Sequence, residues 1–394
     1  MKNFKKFLSM SAVCAMAITT MAGCGAKEEG NSADSIKWGV NYEKTGAAAT
    51  YGTSHVEGIE LAVKEINAAG GVDVKGTKKQ IKLDVLDNKS SETDLPTVYN
   101  QLVQDGNVVI LGPAITGLTK QSFQLAAENK IPTLTASATG DDVTYTSDGK
   151  VQPYGFKICY SDSFQGKALA KAATDKGFKS ILVYSDNSTE YAKGLTEVFT
   201  KEFTALGGEI TGSESYQQGD QDFTSVLTKI KNGNYDAILV PGYYEEASAI
   251  IKQAREMGIT KPILGPDGFD SPKLKEVVGA DNLSNVFFTT HFSKIEKNEK
   301  VENFLKAYKD EYGKEPDTFA ALGYDLAYFV KDAIEAAGDD SSEAITKAIA
   351  EYKDFTGVTG TFSMDTDHTP IKSIKFVELQ KGEQVSATDV EVTK

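Results

Sequence analysis

The chain has 394 residues, 40% of them hydrophobic and 25% charged, a balance that fits a soluble globular protein and excludes the disordered and fibrous classes. Its formal net charge of −14 becomes −17 once the first 23 residues, carrying Lys2, Lys5 and Lys6 and no acid, are removed. So acidic a surface repels nucleic acid and anionic lipid alike.

The N-terminus opens with those three lysines and an apolar stretch from about Phe7 to Met21. That stretch is shorter than the roughly 18–20 residues that cross a bilayer, so 1–23 reads as a secretory signal. Met21-Ala22-Gly23-Cys24 resembles a bacterial lipobox, with methionine where leucine is usual. Cleavage before Cys24 and acylation of its sulfur would leave 24–35 as a polar tether at the outer face of the membrane. Cys14 departs with the signal and Cys24 takes the lipid, so Cys159 is left alone and no disulfide framework is expected.

From Ile36 onward strands and helices alternate. IKWGV precedes a helix over Thr53 to Ala69 with Val56, Ile59, Val63 and Ile66 at helical spacing, stopped by Gly70-Gly71. IKLDVLD, VVILG and IPTLTAS follow as strands, with helices over Asp94 to Gln104 and Thr116 to Asn129 between them. After the strand GFKICY the alternation restarts. SILVYSD, EITGSESY, DAILVPG and PILGPDG are strands, separated by helices over Tyr191 to Leu206, Phe223 to Lys231 and Glu245 to Met257. Two α/β units in succession imply two similar lobes with parallel sheets. The last stretch breaks the pattern, with VFFTTHF, helices over Val301 to Tyr312, Phe319 to Ala337 and Ser342 to Tyr352, and strand-like IKFVEL. Its helices return most economically to the first lobe, which makes the chain cross between lobes and leaves a cleft.

VVILGPAITGLTKQS misses a phosphate-binding P-loop because Leu118 stands where the lysine is required. A helix N-terminus with free amides and the Thr116 hydroxyl instead suits one small anion such as a carboxylate. Signatures of dehydrogenases, hydrolases and zinc enzymes are absent, and His55, His291 and His368 read as structural. Asp365-x-Asp367 reads as a solvated turn, lacking the glycine and distal glutamate of a calcium loop. The remaining polar and aromatic residues sit at strand C-termini, where open α/β sheets bind ligands. Thr116, Ser137 and Thr139 on the first lobe suit a carboxylate. Tyr191, Tyr243 and Asp267 on the second suit an ammonium beside an apolar group. Taken singly, each hydroxyl serves equally well as a helix cap, and Tyr51 and Tyr243 as packing residues.

KTGAAATYG, INAAGGV, IPTLTASAT, EYAKG, PGYYEEASAIIKQAREMG, LGPDGF and ALGYDLAYF together resemble the leucine/isoleucine/valine-type substrate-binding proteins of branched-chain amino acid ABC transporters, from about Ile36 to Glu383. The resemblance implies the type I periplasmic binding protein fold, two Rossmann-like lobes joined by a three-segment hinge. It would place 36–157 and 291–366 in lobe 1, and 158–290 and 367–394 in lobe 2. It also implies carboxylate binding by Thr116 and Thr139 with Ser137, stacking and lid roles for Tyr51, Tyr191 and Tyr243, and Asp267 as the ammonium partner. That family usually has glutamate at the position of Asp267 and serine at that of Thr116, which leaves the identity of the amino acid open. The expected protein is thus a monomeric, lipid-anchored amino-acid receptor without cofactor, metal or enzymatic activity, whose partners are permease subunits. The alternative is a ligand-presenting sensory receptor, or a binder of another small carboxylate or amide.

Overall fold

The computed structural model describes residues 35–392. The expected signal, Cys24 and the tether up to residue 34 lie outside the described residues. The first sheet takes up β1 (Ser35–Tyr42), β2 (Val72–Val74), β3 (Thr77–Asp87), β4 (Val109–Leu111), β5 (Thr133–Thr135) and β6 (Gly155–Lys157), in the order β2-β3-β1-β4-β5-β6. All its pairs are parallel except the β2–β3 hairpin. Between these strands run α1 (Ala49–Ala68), α2 (Leu95–Gln104) and α3 (Thr116–Asn129).

The second sheet repeats the plan. It contains β7 (Ser180–Asp186), β8 (Glu209–Tyr216), β9 (Ala237–Leu239), β10 (Ile263–Gly265) and β11 (Val286–Thr290). Its helices are α4 (Asp162–Asp175), α5 (Glu190–Ala205), α6 (Thr224–Ile230), α7 (Tyr244–Glu256) and α8 (Pro272–Val278). The parallel strands run β8-β7-β9-β10-β11, matching β3-β1-β4-β5-β6 strand for strand. In each sheet the order reverses beside the first strand, at the switch point where doubly wound sheets open a crevice.

The remaining helices, α9 (Glu299–Tyr312), α10 (Thr318–Ala337) and α11 (Ser342–Glu351), return to the first sheet, followed by a hairpin of β12 (Phe355–Gly357) and β13 (Gly360–Phe362). The chain then ends in β14 (Ile374–Gln380) and β15 (Glu383–Val390), which extend the second sheet antiparallel beyond β11. It therefore passes between the sheets three times, after β6, after β11 and between β13 and β14. Helix α10 is the keystone of lobe 1. Leu322, Leu326, Phe329 and Val330 share one core with Trp38 and Val40 of β1 and Ile59 of α1, each such side chain contributing about 1.5–3 kcal/mol on burial. The two helices touch backbone to backbone, because a Cβ at Gly58 would meet the Ala320 carbonyl oxygen at 2.0 Å and one at Gly323 the His55 carbonyl oxygen at 2.2 Å. No helix among the described residues is long and apolar enough to cross a membrane.

Candidate functional site

On lobe 1, β4 ends in a turn at Gly112, whose φ of +102° and 2.1 Å virtual Cβ contact with the Asn41 carbonyl oxygen exclude a side chain. The turn delivers the chain to α3, and Thr116 is the first helical residue. Its hydroxyl does not cap the helix; it accepts from the Gly140 amide at 3.4 Å. The two amides before Thr116, of Ala114 and Ile115, are already taken. Glu43, just past β1 and fully buried, accepts from Ala114 N at 3.0 and 3.1 Å and from Ile115 N at 3.2 Å. Burial lifts the Glu43 carboxyl to about 7 in spite of those amides. Ser137, beyond β5, donates its hydroxyl to the Ala114 carbonyl at 3.0 Å.

On lobe 2, Tyr191 in the first turn of α5 donates to Asp267 Oδ1 at 2.5 Å and accepts from Gly268 N at 3.1 Å. The Tyr243 ring lies flat on that of Tyr191, 5.0 Å between centroids and 4° from parallel. Asp267 begins a single 3-10 turn directly after β10. Its own amide is held by Gln165 Oε1 at 2.8 Å, and its Oδ2 faces His291 Nε2 at 3.3 Å. Burial holds His291 down to about 4 even beside that carboxylate, so the ring is neutral at neutral pH. Asp162 is a second buried carboxyl nearby, pushed up by burial and also by Asp267.

Tyr51 joins the two walls. Its hydroxyl leaves α1 to donate to the Gly268 carbonyl at 2.7 Å and to accept from Tyr244 N at 3.0 Å. Its ring packs on Phe319 at 4.4 Å. Thr50 adds a bond to the Tyr244 hydroxyl at 2.9 Å. At the rim, Lys120 reaches Glu190 at 3.0 Å.

Tyr51, Thr116, Ser137, Tyr191, Tyr243 and Asp267 all line one cavity between the lobes. The structure does not bring Thr139 into that lining; its carbonyl holds the Asp162 amide at 2.8 Å. Ala114, Ile115, Gly268 and Phe319 complete the walls, and Phe319 had no sequence signal beyond being an aromatic in the first turn of a long helix. The cavity holds about 20 Å³, room for roughly one water and far below the ~300 Å³ or more of small-ligand sites. Hydroxyls and a carbonyl line one side, and a carboxylate among aromatic faces lines the other. A zwitterion with an apolar side chain matches that division of charge, provided the tyrosines or the lobes move to admit it.

Residues 35–384 match the family model described as "Periplasmic binding protein". Among solved structures, the branched-chain amino acid transporter substrate binding protein of Streptococcus pneumoniae, in complex with isoleucine, is 40% identical with a TM-score of 0.85, covering 90% of this chain and 99% of that one. A leucine binding protein from Thermotoga maritima is 31% identical with a TM-score of 0.80, covering 90% and 98%. A Leu/Ile/Val-binding protein homolog of Brucella abortus is 27% identical over 333 residues, 84% of this chain and 86% of that protein.

Proposed function

Since the chain belongs to the periplasmic binding protein family, and is related to the solute-binding proteins of ABC transporters, we propose that it captures a branched-chain amino acid and presents it to a permease. The observation that carries this reading is the division of the cavity wall between lobes. Thr116 and Ser137 would hold the carboxylate on lobe 1, with Thr139 supporting them from behind. Asp267 would take the ammonium as lobe 2 closes, and Tyr51, Tyr191, Tyr243 and Phe319 would enclose the side chain. The likeness to a protein solved with isoleucine supports the same ligand class. In this reading 36–157 with 291–366 and 158–290 with 367–394 are the moving bodies, and the three passages between them are the hinge. Micromolar affinity needs about −8 kcal/mol, within reach of two charge-assisted anchors and one buried aliphatic side chain.

Leucine, isoleucine or valine at about one hundred times its Kd should stabilise the purified protein by roughly 2.7 kcal/mol, read as a rise in melting temperature. No response to any amino acid, together with a response to an acid lacking an amine, would overturn the assignment. The proposed lipid anchor is checked separately: Cys24→Ser should move the protein from the membrane fraction to the soluble fraction of the producing cells.

A further inference from the structure

A second cavity, much larger than the one between Tyr51 and Asp267, opens beside it. It lies behind the 3-10 turn that carries Asp267, has a volume of about 510 Å³ and is bounded by lobe 2 and the residues that lead into α10. The two cavities share walls, since Asp267 and Phe319 face the first while Phe269, Asp270 and Thr318 face the second. Its size falls within the range of small-molecule sites. Phe269, Leu274, Leu283, Phe288, Phe292 and Leu379, themselves nearly buried, form an apolar part of the lining.

The charged groups on this wall are not balanced. Lys275 and Lys294 are both drawn to Glu383, Glu276 pairs with Lys273, and Glu315 pairs with Lys309. That leaves Asp270 and Asp317. Asp270 Oδ2 accepts from the Thr290 hydroxyl at 2.8 Å. Asp317 accepts from the Ser54 hydroxyl at 2.6 Å and caps α10 through the Ala320 amide at 2.8 Å. Among the described residues neither carboxyl has a basic nitrogen within ion-pairing distance. Burial, with Asp317 nearby, pushes Asp270 up to about 7 although Lys294 acts against it, and burial lifts Asp317 to about 6. Two carboxyls that repel each other at the edge of an apolar cavity are strongly stabilised by a cation, and the cavity's apolar walls favour one that carries hydrocarbon.

We propose that this cavity is a second ligand site, which takes an organic amine with its ammonium at Asp270 and Asp317 and its apolar body against the phenylalanines and leucines. A bare metal ion fits less well, because no group of three metal-ligating side chains assembles among the described residues. The site does not depend on which amino acid occupies the main cleft.

The test is calorimetric titration of the purified protein with phenethylamine, in the presence of a saturating amino acid ligand if one is found. Saturable binding with a Kd below about 1 mM is expected, and 2-phenylethanol, which has the same body without the charge, should bind at least about tenfold more weakly. Asp270→Asn and Asp317→Asn should each weaken phenethylamine binding by about tenfold or more. Asparagine keeps the shape and the helix cap, and unchanged melting temperatures would show that the fold persists. Asp267→Asn should leave phenethylamine binding as it was. The proposal fails if phenethylamine does not bind, if the alcohol binds equally well, or if Asp267→Asn rather than the other two substitutions removes binding. The last result would place the amine in the main cleft. Failure of leucine, isoleucine and valine to bind would overturn the branched-chain reading and leave this site standing.

Discussion

Replacing Asp267 with asparagine is expected to weaken amino-acid binding by about 100-fold or more while leaving the ligand-free fold intact. The carboxylate is almost fully buried, and the nearest basic group, His291, is kept neutral by burial. A positive partner must therefore come from the ligand. Removing one member of a buried ion pair costs about 3–5 kcal/mol, which is the source of the expected loss. Without ligand the substitution replaces a buried carboxyl that lies beside Asp162 and pushes the Asp162 carboxyl up, so the melting temperature should hold or rise. Titration calorimetry and a thermal melt on the same preparation decide the matter. A loss of less than about tenfold with an intact fold would show that Asp267 does not hold the ammonium.

Residues at the ends of parallel strands could be found from sequence because a short apolar run followed by a helix N-terminus marks where an α/β sheet points its ligands. Thr116, Tyr191, Tyr243 and Asp267 all sit at such junctions, and α3 and β8 begin and end where their patterns do. Helix α4 was invisible for a physical reason. Its buried face is mostly Ala168, Ala170, Ala172, Ala173 and Gly166, small residues that let it pack closely on α5 but give no large apolar side chains at helical spacing. That helix brings Asp162 and Gln165 under the site. Glu43 looks like a loop residue, and only the fold shows it buried and accepting from the amides of Ala114 and Ile115 just ahead of α3. His291 sits at the end of β11, the strand beside the one that carries Asp267, whereas Phe319 reaches the cleft only through the return crossing that leads into α10. Thr139 lies only two residues beyond Ser137, but its carbonyl is held by the Asp162 amide and the residue is not part of the cavity lining.

Tyr51→Phe is the substitution expected to loosen lobe closure without disturbing the charge anchors. The phenylalanine ring keeps the contacts with Phe319, Tyr243 and Tyr244, but both hydrogen bonds of the Tyr51 hydroxyl to lobe 2 disappear, leaving the one from Thr50 to Tyr244. Each such bond is worth about 0.5–1.5 kcal/mol net, so the closed arrangement should weaken by about 1–3 kcal/mol relative to open forms in which water satisfies Gly268 O and Tyr244 N. A cavity of about 20 Å³ cannot admit an amino acid unless the walls part, so opening precedes entry and the Tyr51 bonds must break first. If they re-form over the ligand, Tyr51→Phe should raise the dissociation rate by about tenfold or more, measured by stopped-flow fluorescence or surface plasmon resonance. The radius of gyration of the ligand-free protein in solution scattering should increase at the same time. An unchanged dissociation rate with a larger radius would mean that the tyrosine latches only the ligand-free protein, and closure over the amino acid would then rest on Asp267 and the stacked pair Tyr191 and Tyr243. If neither quantity changes, Tyr51 is a wall of the cavity and not its latch.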